Sequence, residues 1–142
     1  MADLPEPRPY YIATPMKSGK LAWVTILPDD NELLTFLDVE KRTAFSLQYV
    51  DRPNGICMFS DVNKGGFLGV SDEDLHKERI IRRWKEPKRW ILKKDDKGGF
   101  SISQALDGGE KYWSTIGEGS MVYAASSYWG ILSWVLEPVD KA

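Results

Sequence analysis

Apolar residues along this chain come in short runs separated by polar, glycine-rich turns, and within the runs they recur at every second position. Tyr10 and Ile12, Ile56 and Met58, and Phe100 and Ile102 are three such pairs. Side chains two apart share one face of a β-strand, so each pair marks a strand with one inward face. The turns hold Asp, Asn and Gly, the residues that chain reversal needs. They are Asp51-Arg52-Pro53-Asn54-Gly55, Asn63-Lys64-Gly65-Gly66, Asp95-Asp96-Lys97-Gly98-Gly99 and Asp107-Gly108-Gly109, with Pro28-Asp29-Asp30-Asn31 as an earlier counterpart. The best helical window, Asp72 to Trp84, supports no more than a short turn running into a strand at Ile80-Ile81. The pattern predicts an all-β protein.

The strand signals also repeat. Phe45, Trp90 and Trp134 each begin an aromatic-x-Leu step, at intervals of 45 and 44 residues. Tyr10, Ile56 and Phe100 form a second column, Ile12, Met58 and Ile102 a third, and Leu21, Phe67 and Tyr112 a fourth. A period in this range marks a supersecondary unit used three times. The copies span roughly 4–47, 48–92 and 93–138 of one domain covering 1–142, each with about four short strands. The expected architecture is a pseudo-threefold barrel with a hairpin cap, about twelve strands in all, whose closure removes exposed sheet edges.

Composition narrows the class. With 142 residues and 42% hydrophobic content the chain can bury a core and is not of disordered type. Its single cysteine, Cys57, rules out an internal disulfide, and the start Met-Ala-Asp-Leu-Pro-Glu-Pro-Arg-Pro has no apolar signal core. Both favour a cytoplasmic setting. Residues 119–136 carry no charge, but their serines and glycines fit two buried strands joined at Ser126-Ser127 better than a membrane span. The net charge of −2 conceals a split: residues 77–94 carry +7, the remainder −9. Such asymmetry bears on partners rather than on fold.

Little in the chain suits an enzyme. His76 is the only histidine, so a zinc site lacks ligands, and neither metal nor cofactor is expected. Cys57 lies in the apolar run Ile56-Cys57-Met58-Phe59, out of step with the inward column. That places it on the outer or interlayer face, without the electropositive setting of a reactive thiol. The paired acids Asp29-Asp30 and Asp95-Asp96 occupy predicted turns, where carboxylates act as turn formers. No phosphate loop, dinucleotide fingerprint or nucleophile elbow is present.

Aromatic and basic residues are the remaining chemistry. Trp90 and Trp134 belong to the repeated column and are assigned to the core; Trp23, Trp84, Trp113 and Trp129 have less evident structural duty. The run Arg82-Arg83-Trp84-Lys85-Glu86-Pro87-Lys88-Arg89-Trp90 interleaves cations with indoles. It suits an anionic partner, and more readily a solvated hairpin edge guarded by charge. The acidic remainder of the chain argues against nucleic acid. In the third copy Tyr112 occupies a repeated column and is assigned to the core, so its neighbour Trp113 should face the other way. Tyr123, Tyr128 and Trp129 complete an aromatic set suited to stacking on sugar rings or anchoring a protein interface, with ordinary packing as the alternative for each.

The segments Trp90-Ile91-Leu92, Gly99-Phe100-Ser101-Ile102, Lys111-Tyr112-Trp113-Ser114-Thr115 and Trp134-Val135-Leu136 resemble the β-trefoil pattern of small fungal ricin-B-like lectins, of mycocypin-like protease inhibitors and of fascin-like trefoils. The resemblance covers nearly the whole chain. It implies a six-stranded barrel closed by three hairpins, without catalytic machinery, in a cytosolic defence protein. In ricin-type lectins a sugar site pairs an Asp after the second strand of a copy with an aromatic on the third. Here that implies Asp72 with Trp84 in copy two, and Trp113 with Tyr123 in copy three without the acid. Copy one offers Trp23 with Asp29 and Asp30. The Gln that ricin-type members carry two residues before the repeated Trp is replaced by Thr43, Lys88 and Leu132.

Two functions follow. The first is non-enzymatic carbohydrate binding, with glycans or glycoproteins as partners and Asp72, Trp84, Trp113, Tyr123, Tyr128 and Trp129 as the binding set. The second is protease inhibition through surface loops, with 51–55, 61–66, 72–79 and 95–99 as candidates and Arg52 or Lys97 as a basic tip. An intracellular scaffold of fascin type ranks behind both. A monomer or a homodimer suits either of the first two.

Overall fold

A computed structural model describes residues 4–70, 79–106, 109–127 and 130–139. The protein is all-β, with twelve strands in antiparallel pairing among the described residues. They fall into three consecutive sets of four. The first holds β1 (Pro9–Pro15), β2 (Leu21–Thr25), β3 (Leu34–Phe36) and β4 (Ala44–Asp51). The second holds β5 (Ile56–Asp61), β6 (Phe67–Val70), β7 (Arg79–Trp84) and β8 (Trp90–Lys94). The third holds β9 (Phe100–Leu106), β10 (Gly109–Ser114), β11 (Tyr123–Ser126) and β12 (Val135–Pro138). The strand expected at Ile80-Ile81 is β7. Among the described residues no helix is long and apolar enough to cross a membrane.

Each set is wired alike. Its first strand pairs with its second, and its second with its third, in all three sets. The first strand also meets the fourth: β1 with β4, β5 with β8, and β9 with the residue before β12 through a Phe100–Trp134 bridge. The fourth strand of each set pairs with the first strand of the next, and β12 returns to β1. The six outer strands of the sets therefore pair in a closed circuit.

The three inner hairpins meet through their own circuit. The Leu33 amide donates to the Ile81 carbonyl (3.0 Å), the Ile81 amide to the Val122 carbonyl (3.1 Å), and the Val122 amide to the Leu33 carbonyl (3.0 Å). All three side chains are fully buried. Backbone polar groups this deep must be paired within the protein, and the three-way exchange satisfies one donor and one acceptor from each hairpin.

Phe45, Trp90 and Trp134 are buried as the repeat predicts. The Trp90 indole donates to the Leu68 carbonyl (2.8 Å) and the Trp134 indole to the Trp113 carbonyl (3.2 Å), the same bond in consecutive sets. Phe45 has no such donor.

Other columns need correction. Cys57 and Phe59 are the fully buried residues of β5, whereas Ile56 and Met58 are only half-buried. The β4–β5 hairpin is longer than its counterpart: Leu47 pairs with Phe59, twelve residues on, whereas Leu92 pairs with Ile102, ten residues on, and Val50 is left unpaired in a bulge of β4. Cross-strand partners share a face, so Cys57 and Phe59, opposite Tyr49 and Leu47, point inward. Cys57 is thus an interior thiol, and burial pushes its pKa up to about 12. The fourth column slips likewise: Leu21, Phe67 and Tyr112 are half-buried, and Ala22, Leu68 and Trp113 are buried beside them.

Candidate functional site

Trp113 lies at the centre of the core rather than on a binding face. Its ring is 5.7 Å from Phe59, 5.5 Å from Trp90 and 5.6 Å from Trp134, the last two edge to face. With no exposed surface it cannot stack on a ligand, and the expectation that it binds carbohydrate is overturned. Tyr112, assigned to the core, instead sits half-buried with its hydroxyl donating to Glu110 (3.1 Å). Tyr123 is half-buried on β11, opposite Ser114 and Ile80. Trp23 is buried, with the Arg42 guanidinium over its ring and over Tyr11 at 4.8 and 3.9 Å; Glu137 holds that guanidinium at 3.0 Å. Asp72, Tyr128, Trp129 and His76 lie outside the described residues.

Trp84 is the sequence-predicted residue that the fold places at a concave surface. It lines a groove of about 490 Å³ with Asn31, Lys64, Gly66, Arg83 and Lys85. Three chain segments meet there: the end of β7, the β5–β6 turn, and the loop before β3.

Local chemistry explains each wall. Buried Asp61 caps the β5–β6 turn, its carboxylate accepting from the Asn63 and Lys64 amides at 2.9 and 3.1 Å. Gly65 and Gly66 then follow at φ of 77° and 83°, a left-handed pair that side-chain-bearing residues resist. This turn directs Lys64 toward the first set of strands, where its ammonium donates to the Leu27 and Pro28 carbonyls. Arg83 bridges the same sets: its guanidinium donates to the Asn31 side chain (2.7 Å) and its amide to the Asn31 carbonyl (2.8 Å). Behind Trp84, the Lys88 ammonium lies 4.6 Å from the ring centroid. Gly69 permits that packing, because a Cβ there would sit 2.4 Å from Lys88 Cγ and 2.9 Å from Trp84 Cδ1.

The groove is cationic and imperfectly satisfied. The ion pairs formed among the described residues are Arg42–Glu137, Arg52–Glu6 and Arg82–Glu32, and none uses Lys64, Arg83 or Lys85. Two buried donors on its walls, Trp84 Nε1 and Arg83 Nε, have no acceptor among the described residues. Such atoms are uncommon in folded proteins and mark places where stability is not the sole constraint. Asn31 and Lys64 were not singled out by sequence; both sit in turns the sequence does show, and only folding brings them beside Trp84. Among the described residues no group of three or more His, Cys, Asp or Glu is placed to hold a metal ion.

A second feature went unrecognised in sequence. Ile116, in the loop between β10 and β11, is 89% exposed. The loop beneath it is tied to Thr35 of β3, whose hydroxyl donates to the Gly117 carbonyl (2.6 Å) and whose backbone pairs with Ser120 and Gly119 at 2.9 and 2.6 Å. By contrast the basic tip Arg52 is occupied, paired with Glu6 (3.1 Å) and lying over Tyr49. Asp95 caps its own turn, accepting from the Lys97 and Gly99 amides.

No protein-family model matches the chain, and no curated protein matches it.

Proposed function

We propose that this protein is a carbohydrate-binding β-trefoil of ricin-B-like type, acting without catalysis through the Trp84 groove. The pairing circuits of the three strand sets and of the three hairpins support the trefoil reading. The observation that carries the function is the groove itself: a partly exposed indole framed by the amide of Asn31 and the donors of Lys64 and Lys85. Sugars are recognised by an aromatic surface against the C–H faces of the ring and by polar groups for the hydroxyls. The Trp84→Ala variant is expected to lose about tenfold or more in affinity for the best-bound sugar, the loss typical of removing an aromatic anchor. Titration of intrinsic fluorescence across mono- and disaccharides checks this, with unchanged thermal melting as the control. A protein that binds no sugar on a broad glycan array would remove the reading.

A second reading, protease inhibition, is favoured by the Ile116 loop. A loop held rigid before it meets its target avoids the ordering entropy that weakens flexible ligands. The loop this favours is 115–120; of the four suggested by sequence, 72–79 lies outside the described residues. If the reading is right, Ile116→Asp abolishes inhibition in a panel of papain-like, legumain-like and trypsin-like proteases; a wild-type protein inactive against the whole panel sinks it.

A further inference from the structure

We propose that the Trp84 groove selects an anionic saccharide, one bearing a carboxylate or a sulfate, over its neutral counterpart. This rests on the reading of the groove as a sugar site and adds to it the charge of the sugar.

Three cations line the groove: Lys64, Arg83 and Lys85. Their bonding explains why they retain attraction for an anion. Lys64 has three donors and spends two on neutral carbonyls, so its charge is solvated but not cancelled. Among the described residues Arg83 likewise bonds neutral acceptors only: the Asn31 side chain at 2.7 Å and the Lys64 and Gly65 carbonyls at 3.4 Å. Lys85 is exposed at the rim. The nearest ion pair belongs to the neighbouring residue, Arg82, which Glu32 holds at 3.6 Å. Among the described residues the same strand therefore carries one arginine in an ion pair and, next to it, one without. A concave wall of low dielectric strengthens the summed field of such charges. A charge-assisted bond to a carboxylate or sulfate is roughly twice as strong as a neutral one.

A sugar fits better than a nucleic-acid strand. Among the described residues Trp84 is the one aromatic side chain lining the groove, and the Lys88 ammonium covers one face of its ring. A strand of successive bases needs a row of stacking surfaces. The space suits one or two rings rather than a polymer track.

The test compares galactose with galacturonate and galactose 6-sulfate, and glucose with glucuronate, by fluorescence titration of the whole protein. The two acidic forms distinguish carboxylate from sulfate. An anionic member is expected to bind about tenfold tighter than its neutral partner. That ratio should shrink several-fold as salt rises from about 50 mM to about 300 mM. In Lys85→Met and in Lys64→Met the ratio should fall to about two or less; Lys85 is exposed at the rim, so its variant keeps the test interpretable if the other disturbs the turn. If neutral and anionic members bind alike, the charge selection is overturned and the sugar site stands. If none binds, both fall. A single-stranded oligonucleotide that outcompetes every anionic sugar also overturns the proposal.

Discussion

Trp113→Ala is expected to destabilise the protein by about 3–5 kcal/mol, the range for truncating a buried aromatic side chain. The indole is fully buried and contacts three rings from three other strands or their flanks, Phe59, Trp90 and Trp134. Removing it withdraws the common partner of these rings and leaves a cavity at the centre of the core. Since a domain is held by about 5–15 kcal/mol in total, the variant should sit near the edge of folding. Urea denaturation should show a large fall in midpoint at an unchanged slope. The phenylalanine variant separates packing from polarity. Trp113 Nε1 is buried without a partner among the described residues, so Trp113→Phe sheds an unsatisfied donor while losing only part of the ring. Trp90→Phe discards a bonded donor and deprives the Leu68 carbonyl of its indole partner. Trp90→Phe should therefore be the costlier of the two conservative changes. An alanine variant that unfolds at the wild-type urea concentration would show that Trp113 is not the core residue its burial indicates.

That this residue was expected on the surface shows where sequence reading loses its grip. Strand character was visible because alternation is a local property. The threefold repeat was visible because Phe45, Trp90 and Trp134 occupy equivalent places and are large enough to stand out. Parity was not visible, because it depends on the count of residues between landmarks. The β4–β5 hairpin is two residues longer than its β8–β9 counterpart, which leaves no mark in an alternation pattern, yet the pairing it imposes decides that Cys57 and not Met58 points inward. The junction of the three hairpins was missed for a related reason. Leu33, Ile81 and Val122 are 48 and 41 residues apart, so loops of unequal length take them out of the period that their backbone bonds obey. The groove was half legible. Trp84 and its basic neighbours are contiguous in sequence, whereas Asn31 and Lys64 reach it from separate turns. Ile116 gave no signal, because one apolar residue in a polar loop looks like any other until its exposure is known.

The second large effect belongs to a position without a side chain. Gly55→Ala is expected to cost about 3 kcal/mol or more, because two independent penalties meet there. Gly55 has φ of 72°, in the left-handed region where an L residue costs roughly 1–2 kcal/mol. In addition, its Cβ would lie 2.3 Å from the Leu92 carbonyl oxygen. That neighbour is backbone, so no side-chain rotation can relieve the overlap. Relief requires β8 to move away, and β8 is held there by the Leu92 amide donating to the Gly55 carbonyl (2.8 Å). The β5–β8 pairing that this displaces is one link in the closed circuit of outer strands. Gly19→Ala supplies the control, since Gly19 also has positive φ, 90°, but nothing lies within 4 Å of its added Cβ. It should show the backbone penalty alone, about 1–2 kcal/mol. The difference between the two variants, measured by urea denaturation, reports what close approach at the β5–β8 junction contributes. Equal losses would mean that β8 can yield without cost, and that the circuit is slacker there than its hydrogen bonding implies.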